Sequence, residues 1–394
     1  MFKGRKNLLI LEKEPNESIL QYQHEVLELS LPDFMIFPRE FYELIGEDYG
    51  TSYVSKQMEN LIFKMSSHPA KWVDGFVTDK WLASLALRMN KSLINNEDEC
   101  RNANNKLHLY YYLLERGLPV FDTEVATTPG DVQRCLEVLR EKGYERAVAK
   151  SQIGASGIGM IHLNTYQYKL DLPEFMFYEG PCLIQGWMDR GNNGVEDVDS
   201  PSVQLYIGDD SIHIYDITEQ ILSKDRIHEG NIAPPPYLDD RTEVKEELIL
   251  QAAKVGEWLY EQGYRGTASV DFLLVNRLGR MEVRVCEINA RVTGATYPAI
   301  LARRFMPHGA WIMRNVKTDR PTDGEELLRM LENAGALFHL GKKEGFLPIN
   351  FNLDERRRVI KGQFLYIGDN FKDCIEGIYD FRKVLPMEWE YDRD

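Results

Sequence analysis

The sequence predicts an α/β (α+β) protein of several domains, and three observations lead there. The chain has 394 residues, 43% hydrophobic and 28% charged, an ordinary globular composition. At roughly 150 residues per domain, that length implies two or three packed units and a sizeable core. Segments of helical periodicity also alternate with short strand-like runs, and no internal repeat or low-complexity tract interrupts them.

Residues 7–11 read as an opening strand, and the stretch to about Asn105 mixes strand-like and helical patches. In residues 104–117, Leu107, Tyr110, Tyr111 and Leu114 fall at helical spacing, with Lys106 in the first turn and Gly117 as the stop. Two of the three tyrosines 110–112 are expected to face the interior. Thr128, Pro129 and Asp131 supply a cap, a first-turn proline and an acidic first turn for a helix with Val132, Leu136 and Leu139 on one stripe. Residues 146–150 form a short strand that runs into glycines. A helix over 244–262 carries Leu248, Ala252, Val255 and Leu259 and stops at Gly263. Strands over 267–275 and 281–292, joined by the turn-forming residues 276–279, read as a hairpin. Beyond Pro321 comes a last helix-and-strand segment.

Charge and cysteine content narrow the partners. There are 47 Lys and Arg against 62 Asp and Glu, a net charge of −15. A nucleic-acid partner is not expected, since a phosphate backbone demands clustered basic side chains over a broad surface. Any phosphate bound is small and locally held. The N-terminus is basic and then apolar, but the apolar stretch stops at Glu12, short of a signal-peptide core. No run approaches the roughly 18 apolar residues of a membrane helix, so no membrane partner is expected. The five cysteines (Cys100, Cys135, Cys182, Cys286 and Cys374) are scattered without a C-x-x-C pair, which fits reduced thiols in a cytoplasmic protein. A homodimer is the default assembly.

Two constellations carry chemistry. Lys150 precedes a glycine-rich stretch, Gly154-Ala155-Ser156-Gly157-Ile158-Gly159, and the residues after Gly159 are strand-like. Glycines let backbone N–H groups approach phosphate oxygens, and a nearby lysine supplies compact positive charge. The stretch lacks the spacing of a P-loop, a dinucleotide turn or a nucleophile elbow. It reads as a flap over a ligand or as a plain glycine hairpin. The second constellation lies on the late hairpin. Alternation turns Val270, Phe272 and Leu274 inward and sets Ser269 and Asp271 on the other face, while Glu287 and Asn289 share a face on the partner strand. Two carboxylates and an amide oxygen form a hard-oxygen set suited to Mg²⁺ with nucleotide phosphates; the alternative is a solvated sheet face. His108 and His162 lack metal-ligand spacing, and Cys286 is expected to be a small buried residue without an adjacent base.

Over residues 104–305 the chain resembles the ATP-grasp superfamily of carboxylate–amine ligases, its motifs appearing in family order. Lys106 and Lys150 match the two ATP-binding lysines. Leu183-Ile184-Gln185-Gly186-Trp187-Met188 matches the linking strand that reads the adenine edge, with Gln185 where many members have glutamate. Asp271, Glu287 and Asn289 match the metal triad, and Arg291 completes Glu-x-Asn-x-Arg, the most specific element. Residues 287–298, EINARVTGATYP, with the segment after them, are similar to the peptide-ligase branch typified by pheganomycin-type ligases.

The resemblance implies an ATP-grasp fold: an N-terminal Rossmann-like domain (1–103), a small subdomain with the glycine-rich loop (104–187), a large subdomain with the metal site (188–320) and an extra C-terminal segment (321–394). An ATP cleft would lie between the two α+β subdomains. It further implies a ligase that forms an amide or peptide bond through an acyl phosphate, from small-molecule carboxylate and amine substrates, with ATP and two Mg²⁺ ions, Mn²⁺ serving as a substitute. Lys106, Lys150, Gly154, Ser156, Gly157, Gln185, Gly186, Trp187 and Met188 would bind the nucleotide, Lys150 and Arg291 would act in catalysis, and Arg226, His228, Arg291, Thr293 and Gly294 would meet substrate. The loop around Arg226 also reads as solvated charge, and the stretch from Thr293 as the start of a helix near Pro298. A kinase-like or carboxylase enzyme and a non-catalytic nucleotide-binding module are the competing readings.

Overall fold

The computed structural model describes residues 6–46, 55–154, 158–168, 172–222, 228–382 and 387–388. The chain divides into two compact units, Met1–Glu97 with Gln220–Pro236 and Thr293–Asp394, and Asp98–Glu219 with Tyr237–Val292.

In the first unit, the opening strand Leu8–Leu11 pairs in parallel with Asp33–Ile36, and the two-residue strands Trp72–Val73 and Ser92–Leu93 form a second parallel pair. Parallel neighbours need crossovers: the helix Glu17–Gln21 lies between the strands of the first pair and Lys80–Arg88 between those of the second, and with Arg39–Gly46 and Lys56–Ser67 the latter packs on a core of Phe37, Ile45, Met58, Met65 and Leu85. The same unit holds an antiparallel sheet in the order His228–Ala233, Ala310–Thr322, Val359–Gly368, Gly345–Leu353. The residues beyond Pro321 therefore supply two of its strands, along with the helices Gly324–Asn333 and Phe371–Arg382. Trp311, Phe346, Phe364 and Tyr366 are fully buried there.

The second unit has two sheets, each backed by helix. The smaller runs Thr123–Ala126, Cys182–Gly186, Arg146–Lys150, Met160–Asn164, all antiparallel neighbours. The helix Val132–Glu141 covers it with Val132, Leu136 and Leu139, and Thr128, the expected cap, forms a capping box with Asp131. The larger sheet runs Arg280–Asn289, Gly266–Arg277, Pro201–Ile207, Ile212–Leu222. Its core face packs on the helix Thr242–Glu261, whose Leu248, Ala252, Val255 and Leu259 are all fully buried, as their spacing predicts. The late hairpin forms, but its second strand ends at Asn289 rather than Val292.

One expectation is corrected. Helix Lys106–Glu115 buries Leu107, Leu109, Tyr112 and Leu113, whereas Tyr111 and Leu114 are 46% and 45% exposed. Both stripes are apolar, so periodicity could not choose between them. The core is met by Leu109, Tyr112 and Leu113 at spacings of three and four, with Tyr112 against Trp258. Of the three tyrosines, one is buried.

Candidate active site

Asn105 anchors the lysine side of the site. Its Oδ1 accepts from the N–H groups of Leu107 and His108 at 2.9 and 3.0 Å, capping the helix. Its Nδ2 donates to Gln152 Oε1 at 2.8 Å, and the Lys106 N–H donates to the Gln152 carbonyl at 3.0 Å. The helix start is thus stitched to the opening of the glycine-rich loop. Lys106 Nζ then lies 2.7 Å from the Gly154 carbonyl and 2.9 Å from Glu287 Oε1. Gly154 is needed for loop closure itself, since a Cβ there would fall 2.2 Å from the Ile158 carbonyl oxygen. Ser156 and Gly157 lie outside the described residues.

Lys150 ends its strand only 7% exposed. Its Nζ donates to Gln185 Oε1 at 2.8 Å and sits 4.0 Å from Cys286 Sγ. Lys106 and Lys150 line one cavity with Leu109, Tyr110, Leu113, Val120, Phe121, Leu183, Gln185, Val285 and Cys286. The cavity therefore joins apolar walls to two ammonium groups. Cys286 is half-buried and faces this space, not the fully buried position expected of it. The reason is a bulge: Asp271 pairs with Glu287 and Phe272 with Val285, which leaves Cys286 as the extra residue.

The acidic side is set by strand register. Ser202, Asp271 and Glu287 align across three strands, and Gln204, Ser269 and Asn289 form the neighbouring row. Asp271 Oδ1 accepts from Ser202 Oγ at 2.6 Å and from Ser269 Oγ at 3.3 Å, while Oδ2 accepts from Asn289 Nδ2 at 2.9 Å. Burial pushes the Asp271 carboxyl up to about 6; the Ser202 hydrogen bond opposes this and the charge on Glu287 adds to it. The Arg291 guanidinium donates to Asn289 Oδ1 and, at 3.2 Å, to the Val292 carbonyl. Glu287 pairs with Lys106 at 2.9 Å, and Glu282 with Arg284 at 2.8 Å. Among the described residues no three His, Cys, Asp or Glu group as metal ligands, so the candidate set is two carboxylates and one amide oxygen. Those are hard donors on one sheet face, the chemistry Mg²⁺ prefers.

Lys106, Lys150, Gln185, Asp271, Glu287, Asn289 and Arg291 all belong to the second unit and sit around this cavity and the adjoining sheet face. Gly186, Trp187 and Met188 are not among the cavity's lining residues. Gly186 packs on Tyr144, where a Cβ would come within 2.7 Å of the ring, Trp187 meets His162 edge-on at 4.6 Å, and Met188 is buried in the small sheet's core. His228, Thr293 and Gly294 belong to the first unit, where His228 Nε2 bonds Asn231 Oδ1 at 2.8 Å and a Cβ on Gly294 would lie 3.0 Å from His228 Cε1. The helix after them is Thr296–Phe305, with Pro298 in its first turn. Arg226 lies outside the described residues.

Sequence reasoning missed Ser202, Gln204 and Thr123. Their signal was polarity inside otherwise apolar strands: Ser202 is 3% and Gln204 0% exposed, and Gln204 Nε2 donates to Ser202 Oγ at 2.9 Å. A buried polar pair of this kind needs a partner to satisfy, and here the partner is Asp271.

No family model matches the chain. The sequence is 25% identical over 202 residues to the [butirosin acyl-carrier protein]–L-glutamate ligase of Niallia circulans, covering 50% of this chain and 45% of that protein, so less than half of that relative's length is matched. Among solved structures, the carboxyaminoimidazole ribonucleotide synthase of Aspergillus clavatus complexed with ATP superposes with a TM-score of 0.56 at 14% identity, covering 98% of this chain and 99% of that one. The biotin carboxylase of Campylobacter jejuni in its β-γ-ATP complex gives 0.61 at 11% identity, covering 97% and 85%. These likenesses show the fold: the chain is a mixed α/β protein with the ATP-grasp architecture of those structures.

Proposed function

We propose that this protein is an ATP-dependent carboxylate–amine ligase. The observation that carries the reading is the convergence of Lys106 and Lys150, from a helix and a strand distant in sequence, on one cavity beside the row of Asp271, Glu287 and Asn289. Its walls are mainly apolar, and its two ammonium groups suit phosphates. Phosphoryl transfer is mostly positioning and charge neutralisation, which such groups supply. Lys106 and Lys150 hold the phosphates, and Arg291 neutralises charge on the transferred group or grips the substrate carboxylate through its planar fork. Mg²⁺, held by Asp271, Glu287 and Asn289, would neutralise the β- and γ-phosphate oxygens. The substrate carboxylate oxygen attacks the γ-phosphorus as ADP leaves; the amine nitrogen then attacks the acyl carbon, and the C–O bond to phosphate breaks. Because the relative in Niallia circulans is named as a [butirosin acyl-carrier protein]–L-glutamate ligase, an amino acid is the first substrate to try, as carboxylate and as amine.

The test is ADP release with panels of carboxylates and amino acids, mass spectrometry of products and hydroxylamine as a trap. Release that requires the carboxylate, with a hydroxamate formed in the trap, supports an acyl phosphate. Nucleotide turnover that ignores every amine and yields a stable phosphoester supports the kinase-like alternative, and bicarbonate-dependent turnover the carboxylase.

Acid is expected to weaken metal binding. Protons compete for Asp271, and a group titrating at about 6 is roughly nine-tenths ionised at pH 7 and one-tenth at pH 5, so Mg²⁺ affinity should fall about tenfold across that range. Titrating Mg²⁺ against nucleotide turnover at each pH, in the native chain and in Asp271→Asn, measures this. An unchanged affinity at pH 5 in the native chain would remove Asp271 from the metal set.

A further inference from the structure

The orientation of the Gln185 amide is fixed from two sides. An ammonium only donates, so the Gln185 atom 2.8 Å from Lys150 Nζ is the carbonyl oxygen. The Thr123 hydroxyl spends its hydrogen on the Phe121 carbonyl at 3.0 Å, which leaves it lone pairs for Gln185 Nε2 at 3.2 Å. Flipping the amide would set NH₂ against the ammonium. One Nε2 hydrogen goes to Thr123, and the second finds no acceptor among the described residues. Gln185 lines the cavity that carries Lys106 and Lys150, whose remaining walls are mainly apolar.

We propose that Gln185 is a specificity-determining residue that offers the nucleotide base a hydrogen-bond donor, so that this site takes guanine as well as adenine nucleotides as phosphoryl donors. The inference rests on the nucleotide-site reading above and goes beyond it. A donor at this position serves N7 of either purine and O6 of guanine. A carboxylate there would instead accept from the adenine 6-amino group and repel guanine O6. It would also pair with Lys150 and draw that charge from the phosphates. Thr123 acts through Gln185 as a positioning residue.

The experiment measures kcat/KM for ATP and for GTP with Mg²⁺, by ADP and GDP release, in the full chain and in Gln185→Glu, with Thr123→Ser as the variant that keeps the hydroxyl. The native enzyme is expected to favour ATP by no more than about tenfold. Gln185→Glu should raise that preference at least another tenfold, chiefly through the KM for GTP, and Thr123→Ser should leave it unmoved. An ATP:GTP ratio that is the same in the native chain and Gln185→Glu overturns the inference while leaving the nucleotide site standing. Failure of both nucleotides to bind sinks the underlying reading instead. Should Gln185→Glu not fold, the native ratio decides, and a preference for ATP above about a thousandfold overturns the proposal.

Discussion

Glu287→Gln is expected to lower turnover by about 10³-fold or more while the nucleotide still binds. The substitution keeps the side chain's length and an oxygen for Lys106, which lies 2.9 Å from Glu287 Oε1, so the fold has little reason to change. What it removes is one of the two negative charges on the sheet face. Opposite it in register is Asp271, whose carboxyl is part-buried and held by two hydroxyls and one amide. Asp271 is therefore poorly placed to carry a divalent ion alone. A thousandfold corresponds to about 4 kcal/mol of transition-state stabilisation, within reach of losing one charged group that acts on the phosphoryl oxygens. Glu287→Asp, which keeps the charge but retracts it, should recover part of the loss. Initial rates of ADP release at saturating ATP and Mg²⁺, beside melting curves, make the comparison. Turnover in Glu287→Gln within tenfold of the native enzyme would remove Glu287 from the metal set.

The sequence made some of this site legible because the relevant signals were local. Glu-x-Asn spacing on an alternating strand puts Glu287 and Asn289 on one face whatever the rest of the chain does, and Asp271 joins them once the hairpin register is known. Lys150 was visible as the last residue of an apolar strand before glycines. Other features were invisible because they depend on contacts distant in the chain. The bulge that turns Cys286 into the cavity is a property of two strands together. The Lys106–Glu287 pair joins residues 181 positions apart (287 − 106), and the Lys150–Gln185–Thr123 chain of hydrogen bonds joins three different strands. Helix Lys106–Glu115 carries apolar residues on most of its surface, so its core-facing side was decided by Trp258 and the large sheet rather than by its own pattern. The segment after Pro321 read as helix and strand but without bounds, since the strands' alternation is broken by residues buried on both faces, such as Phe364, Leu365, Tyr366 and Ile367.

Lys150→Met is expected to stabilise the nucleotide-free protein and to abolish its response to ATP, two effects of opposite sign from one substitution. Lys150 is 7% exposed, and its Nζ contacts are the Gln185 amide oxygen and the Cys286 sulfur. Burial pushes the Cys286 thiol up, so the sulfur is neutral, and no ion pair to a carboxylate is made by Lys150 among the described residues. A cation held this way forfeits hydration without a counter-charge, at a cost of several kcal/mol offset partly by the amide. Methionine matches the aliphatic stem and removes the charge, which should raise stability by about 1–2 kcal/mol and the melting temperature by a few degrees. On the proposed function ATP would supply the missing negative charge in the native protein, where nucleotide at a hundred times its Kd should add about 2.7 kcal/mol of stability. In Lys150→Met that increment should vanish, with kcat/KM down by at least about a hundredfold. Melting curves with and without ATP, run on both proteins, read the two signs together. A variant that melts lower than the native chain and is still stabilised in full by ATP would show Lys150 to be a structural cation, and the anionic end of the ligand would then have to face elsewhere in the cavity.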